Sequence, residues 1–362
     1  MIVAVLVICF AILQSMVALV NLFFRQPLSG NQAGFNRKVS VLIPARNEEN
    51  NIGNLLSDLI RQHDPEMDIL VYDDQSTDQT AEMVRKMAAK DNRIRLLPAE
   101  NLQAGWLGKN FACHRLAADA SGDYYLFLDA DVRISSGIIR KTAGFAAEKQ
   151  LGLVSVFPQQ IMVSPGEKSS VPLMHFILLT LLPLILVRKS AYPSLSAANG
   201  QFMLFSAKTY HELKPHEKMK SEKVEDICIA RWLKKSGIAV ACLTGIKEIR
   251  CRMYTGFQQA TDGFAKNVTA FFGNSFVLAF LFWMTTSAGW VVVFYILGLW
   301  AGFAYLFLLL LTRILVSLAA KQKVIQNIVY WIPQQIALGF ILFKAVQSKF
   351  NREYQWKGRN IQ

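Results

Sequence analysis

Acidic residues are scarce at both ends of this 362-residue chain. Most of its 26 Asp and Glu lie between Asn47 and Glu248. The flanks are apolar, and they raise the hydrophobic fraction to 52% and the mean hydropathy to +0.27. That asymmetry excludes a uniformly soluble globule and indicates a membrane anchor joined to a soluble domain. Cysteine is also sparse. Cys9, Cys113, Cys228, Cys242 and Cys251 form no CxxC pair or other metal-ligand spacing, which argues against a disulfide framework and fits a reducing compartment. The net charge is +13, yet no continuous basic tract with interleaved aromatics occurs. Nucleic acid is therefore the weakest of three partners, behind an anionic membrane surface and a phosphorylated ligand. There is no internal repeat and no low-complexity linker.

The first apolar run lacks a basic leader region and a small-residue cleavage site. Residues 1–24 are expected to be an uncleaved transmembrane anchor. Arg25, Arg37 and Lys38 follow it, so the positive-inside rule places residues 37–267 in the cytoplasm, on a multi-pass protein of the cell membrane. Residues 275–346 are expected to return to the membrane, with candidate spans near Ser275–Gly298, Leu299–Ala320 and Val324–Val346. Three full crossings would export the basic tail, 347–362, against the charge rule. The last segment, interrupted by Pro333-Gln334-Gln335, is thus expected to be re-entrant or interfacial. The stretch 171–187 is apolar and about seventeen residues long, at the lower limit for a span. A single crossing there would separate Asp129 from Asp226, so an interfacial helix is expected instead.

Between the flanks, strands and helices alternate. Strands are expected at Val39–Pro44, Ile69–Tyr72, Ile94–Leu97 and Tyr124–Leu128, with helices at Asn50–Gln62, after Asp78 to about Ala89, and at Asn110–Ala120. This alternation implies an α/β fold with a mostly parallel sheet covered on both faces. Ligands of such sheets sit beyond the carboxyl ends of the strands, and the polar clusters fall there.

Leu128-Asp129-Ala130-Asp131 closes the fourth strand. Carboxylates at alternate positions suit one hard cation, Mg2+ or Mn2+, that keeps positions open for phosphate oxygens; the simpler reading is a pair of solvated turn carboxylates. Asp73-Asp74-Gln75-Ser76-Thr77-Asp78 follows the second strand. One of its carboxylates suits a uracil imide or ribose hydroxyl, or the segment is an Asx turn capping the next helix. Lys109 follows the turn Gly105–Gly108, within reach of a diphosphate at a helix start or else simply exposed. Glu225-Asp226 opens a helix expected at Ile227–Lys235, where acids also stabilise the positive end of the helix dipole.

Taken in order, Ile43–Glu49 (IPARNEE), Asp73–Asp78, Gly105–Asn110 (GWLGKN), Leu128–Asp131 and Val224–Asp226 resemble the motifs of family 2 glycosyltransferases, from about Val39 to Asn267. The chain is most similar to members that glycosylate membrane lipids: 4,4'-diaponeurosporenoate glycosyltransferases and hopanoid-associated or ceramide glucosyltransferases. Gln355-Trp356-Lys357-Gly358-Arg359 resembles the tail of the carotenoid enzymes. The resemblance implies a GT-A fold and inverting transfer of one sugar from a nucleoside-diphosphate sugar, UDP-linked by expectation, to a lipid or carotenoid-like acceptor. It implies Asp226 as catalytic base, with Glu225 beside it at the acceptor. The implied donor site comprises Pro44, Ala45, Glu48, Asp73, Asp74, Lys109, Asp129, Ala130, Asp131, Asn199, Gly200 and Arg252, with Asp129 and Asp131 also holding metal. His216 matches a family histidine position, although a lone histidine is more simply structural.

The stretch Gln258-Gln259-Ala260-Thr261-Asp262-Gly263-Phe264 lacks the Arg-Trp pair that processive members carry. Arg250 or Arg252 is left to contact phosphate. The departure argues against a long-chain polysaccharide synthase. That synthase, and a non-catalytic protein retaining the fold, remain the alternatives.

Overall fold

The computed structural model describes residues 1–28, 36–62, 64, 66–351, 355–356 and 359–360. Lys357 and Gly358 of the C-terminal motif lie outside the described residues. The chain divides into two compact units. One comprises Met1–Arg25, Gln160–Leu184 and Arg252–Gln362; the other comprises Gln26–Gln159 and Ile185–Cys251.

The second unit is built on a seven-stranded sheet. Its strands are Val39–Ala45 (β1), Asp68–Asp73 (β2), Ile94–Leu97 (β3), Tyr124–Leu128 (β4), Leu153–Val156 (β6), Phe202–Ser206 (β7) and Val240–Leu243 (β8), arranged β3-β2-β1-β4-β7-β6-β8. Val132–Ile134 (β5) instead pairs antiparallel with Ile249–Cys251 (β9). Central strands such as YYLFL are buried along their whole length, which is why they read as apolar runs rather than alternating ones. Helix Ile52–Ile60 buries Ile52, Leu55, Leu56 and Leu59 completely, the one-stripe pattern of a helix lying on a sheet.

Every neighbour pair in the large sheet is parallel except β4–β7 and β7–β6. β7 therefore runs against all the others. Its register sets Leu128 opposite Phe202, so the loop entering β7 arrives at the carboxyl end of β4. Asp129 N–H donates to Gln201 O at 3.2 Å across that junction.

The first unit is helical. Among the described residues, Ile2–Phe23, Phe276–Leu297 and Leu299–Ala319 are long and apolar enough to cross a membrane. Gly298 connects the last two with φ +86°, a backbone that glycine adopts without a Cβ penalty. The stretch expected as Val324–Val346 divides into helices Val324–Val329 and Trp331–Asn351. Pro333 explains the restart: it cannot donate to residue 329, but it is tolerated in the first turn of a helix. The stretch 171–187 is likewise split, into Pro172–Leu181 and Leu184–Lys189. Ten residues rise about 15 Å, half a bilayer core, so neither piece crosses alone. Asn21 stitches the break at Pro183: its amide donates to Leu179 O (3.0 Å) and Leu182 O (2.9 Å) and accepts from Leu184 N–H (2.7 Å).

This unit also buries an ion. Arg313, on helix Leu299–Ala319, is 3% exposed. Its guanidinium lies over the rings of Phe176 (4.7 Å) and Trp331 (5.3 Å), and Nη1 donates to Gln334 Oε1 at 2.5 Å. Each desolvated cation–π contact contributes about 2 kcal/mol, against a desolvation cost of several kcal/mol for an ion without a counter-charge.

Candidate active site

Two motifs meet at the ends of β1 and β2. Parallel pairing sets Ala45 beside Asp73, and Asp74 N–H donates to Ala45 O at 2.8 Å. Beyond the strands the two loops bond to each other. Asn47 N–H donates to Ser76 Oγ (2.9 Å), Thr77 N–H to Asn47 Oδ1 (2.8 Å), Glu48 N–H to Thr80 Oγ1 (2.8 Å) and Glu49 N–H to Asp78 Oδ2 (3.1 Å). Arg46 Nη1 donates to Asp74 O at 2.5 Å. Asn47 (φ +52°) and Gln75 (φ +56°) both hold left-handed backbone, a conformation that carries strain for glutamine. Asp73 accepts from the Ser76 hydroxyl, and Glu48 Oε2 from Asn51 Nδ2 at 2.8 Å. Pro44, Ala45, Glu48, Asp73 and Asp74 thus form one rigid rim.

The second cluster surrounds Lys109, in the first turn of helix Gly108–Ala118. Its ammonium lies 2.8 Å from Asp129 Oδ1, 3.1 Å from Asp129 Oδ2 and 3.5 Å from Glu225 Oε1. Burial opposes the charge of Lys109, but Asp129 and Glu225 outweigh it and keep the amine protonated. Neighbouring Asn110, 1% exposed, donates through Nδ2 to Met219 O (2.8 Å), Lys220 O (3.3 Å) and Glu222 O (3.1 Å). The GWLGKN motif therefore fixes the loop that delivers Glu225 and Asp226.

Asp226 stands at the start of helix Glu225–Lys235. Its carboxylate accepts from Gly200 N–H (Oδ2, 2.9 Å) and from Ile227 N–H (Oδ1, 2.8 Å). Asp226 keeps some surface open, but protein surrounds most of it. That burial, reinforced by the Glu225 carboxylate, pushes its acid up to about 7; the two N–H donors and Lys109 oppose the rise. Gly200 touches the whole group: a Cβ there would stand 3.1 Å from Lys109 Nζ, 3.2 Å from Glu225 Oε1 and 3.8 Å from Asp226 Oδ2. The loop is pinned from below, Asn199 N–H donating to Ser155 Oγ (2.7 Å) and Ser155 Oγ to Asn199 O (3.1 Å).

Asp129, Ala130 and Asp131 follow β4 directly. The β5–β9 pairing opposes Cys251 to Val132, and the buried Cys251 thiol lies against the Asp131 carboxylate while accepting from Gln201 Nε2 at 2.9 Å. Burial and that carboxylate raise the thiol well above its ordinary range. Among the described residues, no group of three or more His, Cys, Asp or Glu is placed to hold a metal ion. Two aspartates alone supply hard oxygen ligands, a donor set that fits a Mg2+- or Mn2+-type ion completing its shell with water and phosphate oxygens.

The guanidinium of Arg252, which directly follows β9, pairs with the fully buried Glu167 at 3.0 Å. His216 is also structural in its contacts: it is 2% exposed, bonded to Tyr210 Oη at 2.8 Å, and its imidazole is pushed down to about 3 by burial. Arg231-Trp232 sits within helix Glu225–Lys235. Ser155 and Cys251 escape sequence reading because only the pairing of distant strands brings them to the motifs.

A 4,4'-diaponeurosporenoate glycosyltransferase from Staphylococcus haemolyticus is 28% identical over 64% of this chain, and the match spans 61% of that relative's length. One from Staphylococcus aureus USA300 is 27% identical over 73% of this chain and 70% of its own length. Among solved structures, a mannosyltransferase from Pyrobaculum calidifontis in complex with GDP-Man and Mn2+ shares the fold with TM-score 0.59 and 16% identity, over 96% of this chain and 99% of that one. Residues 40–214 match the family described as Glycosyl transferase family 2.

Proposed function

We propose that this glycosyltransferase moves a single sugar from a nucleoside-diphosphate sugar, UDP-linked by preference, to a lipid or carotenoid-like acceptor, inverting the anomeric centre. The observation that carries the reading is the Lys109–Asp129–Glu225–Asp226 group closed by Gly200. It gathers an acid-base pair and a diphosphate-sized cationic point at one strand end. A carboxylate acceptor is already ionised and attacks with no proton to give up. For a hydroxyl acceptor, Asp226 takes its proton as the oxygen attacks the anomeric carbon in line, and a carboxyl near 7 is matched to that work at neutral pH. Glu225 keeps that carboxyl basic and anchors Lys109, whose ammonium faces the donor diphosphate. The rim at Pro44–Glu48 and Asp73–Asp74 holds the nucleoside, and the Asn199–Gly200 loop bounds the sugar. Asp129 and Asp131 would hold a divalent cation, which when bound neutralises the departing diphosphate.

The names of the two staphylococcal relatives support a carotenoid-type acceptor, and the Mn2+ complex of the archaeal mannosyltransferase supports the metal. The apolar helices support a multi-pass membrane protein whose catalytic unit faces the cytoplasm. Membranes containing the chain, incubated with a panel of labelled nucleotide sugars and lipid extract, should yield a lipid heavier by one hexose in mass spectrometry. That product should disappear with chelator and return with Mn2+ or Mg2+. A polymeric product would overturn the single-transfer reading, and absence of any donor turnover would overturn the enzyme.

A further inference from the structure

Arg313 poses a question that the glycosyl transfer site does not answer. Its guanidinium is buried in the helical unit, and Nη2 has no hydrogen-bond partner among the described residues. The acids in the described part of that unit are Glu167 and Asp262, and both are engaged elsewhere. Glu167 pairs with Arg252 at 3.0 Å and Asp262 with Lys344 at 2.7 Å. The amide oxygen nearest Arg313 belongs to Gln334, whose Nε2 already donates to Lys168 O and Asn327 Oδ1, both at 3.1 Å. One amide oxygen and two ring faces do not neutralise a desolvated cation, and an ionisable group inside an apolar helical bundle marks a ligand or ion site more often than a packing residue.

We propose that Arg313 is the centre of a site for an anionic amphiphile, a carboxylate or phosphate carried on an apolar chain. Nη2 takes the anion, Gln334 holds the other edge of the guanidinium in place, and Phe176 and Trp331 flank the head group. Trp331 opens the helix that restarts after Tyr330 and is only partly covered, so it is the movable wall of the site. The inference stands apart from the transferase reading, since every residue it uses belongs to the helical unit.

The test uses the full chain in phosphatidylcholine nanodiscs, titrated with labelled oleate, with its methyl ester, and with phosphatidylglycerol. Wild type should bind oleate at least tenfold tighter than the ester, or bind phosphatidylglycerol saturably; the first result assigns a carboxylate and the second a phosphate. Arg313→Gln should erase the preference, and Arg313→Lys should keep part of it. Equal binding of acid and ester with no saturable phosphatidylglycerol binding would overturn the site, as would an unaltered preference in Arg313→Gln. Should Arg313→Gln not fold, the wild-type comparison of acid with ester and the Arg313→Lys titration decide alone. Donor hydrolysis by wild type without acceptor reads the transferase assignment separately, so wild type that hydrolyses donor yet ignores head-group charge overturns only the Arg313 site.

Discussion

Asp226 is where residue chemistry is most exposed to test. Asp226→Asn removes the proposed base and keeps one of its two acceptors, since the amide oxygen can take the Gly200 or the Ile227 N–H but not both. Turnover should fall by several orders of magnitude while donor affinity stays near wild type, read by steady-state kinetics and donor titration. Catalysis needs the ionised form, so kcat should rise with pH through about 7. Glu225→Gln removes the neighbouring negative charge, and the acid limb should move to lower pH. Stability responds with the opposite sign. A carboxyl raised in the folded state binds its proton there more tightly than in the unfolded chain, so stability falls as pH rises from the ordinary aspartate value of 3.8 through about 7. Asp226→Asn should therefore raise the melting temperature at pH 8, by about 2–4 °C for each kcal/mol relieved, with the gain vanishing near pH 4. Gly200→Ala tests the packing of the same group. Its Cβ would press on Lys109 and Glu225, which must shift by tenths of an ångström, and kcat/KM should fall roughly tenfold to a hundredfold with little change in melting temperature.

Among the elements, the reversed strand β7 and the short helix Pro165–Ser170 do the most positioning. β7 brings Asn199–Gln201 to the end of β4 only because it runs opposite to its neighbours. Alternation of strands and helices predicted the parallel part of the sheet well, since β1 to β4 and their helices are local and strongly patterned. The direction of β7 was not legible, because strand direction is a property of long-range pairing rather than of local pattern. Helix Pro165–Ser170 carries a capping box in which Ser164 and Glu167 bond reciprocally. Glu167 also accepts from Val163 N–H and from Arg252. Burial opposes its charge, but Arg252 and the local donors outweigh it and hold the carboxyl down at about 2. Its contribution to stability is present above the ordinary glutamate value of 4.5 and lost as pH falls through about 2. Glu167→Gln should lower the melting temperature clearly at pH 7 and much less at pH 3, followed by scanning calorimetry of the detergent-solubilised chain.

At the scale of the whole molecule, the apolar helices at both ends carry the membrane predictions. The chain should remain with the bilayer through an alkaline carbonate wash, since three of its helices are long and apolar enough to cross. Arg25, Arg37 and Lys38 beside the first helix predict that single cysteines introduced at positions 37 and 267 react with an impermeant reagent from the cytoplasmic side alone. Labelling of the two from opposite faces would refute that topology.

The sequence alone determined the five polar motifs, the strands that bear them and the apolar flanks, because each depends on neighbours within a turn or a pleat. It did not reveal that Arg252 pairs with Glu167, nor that Arg313 is buried with no counter-charge among the described residues. Those are relations between residues far apart in the chain. Charge inside a protein is compensated by whatever the fold brings near, and only the tertiary structure decides what that is.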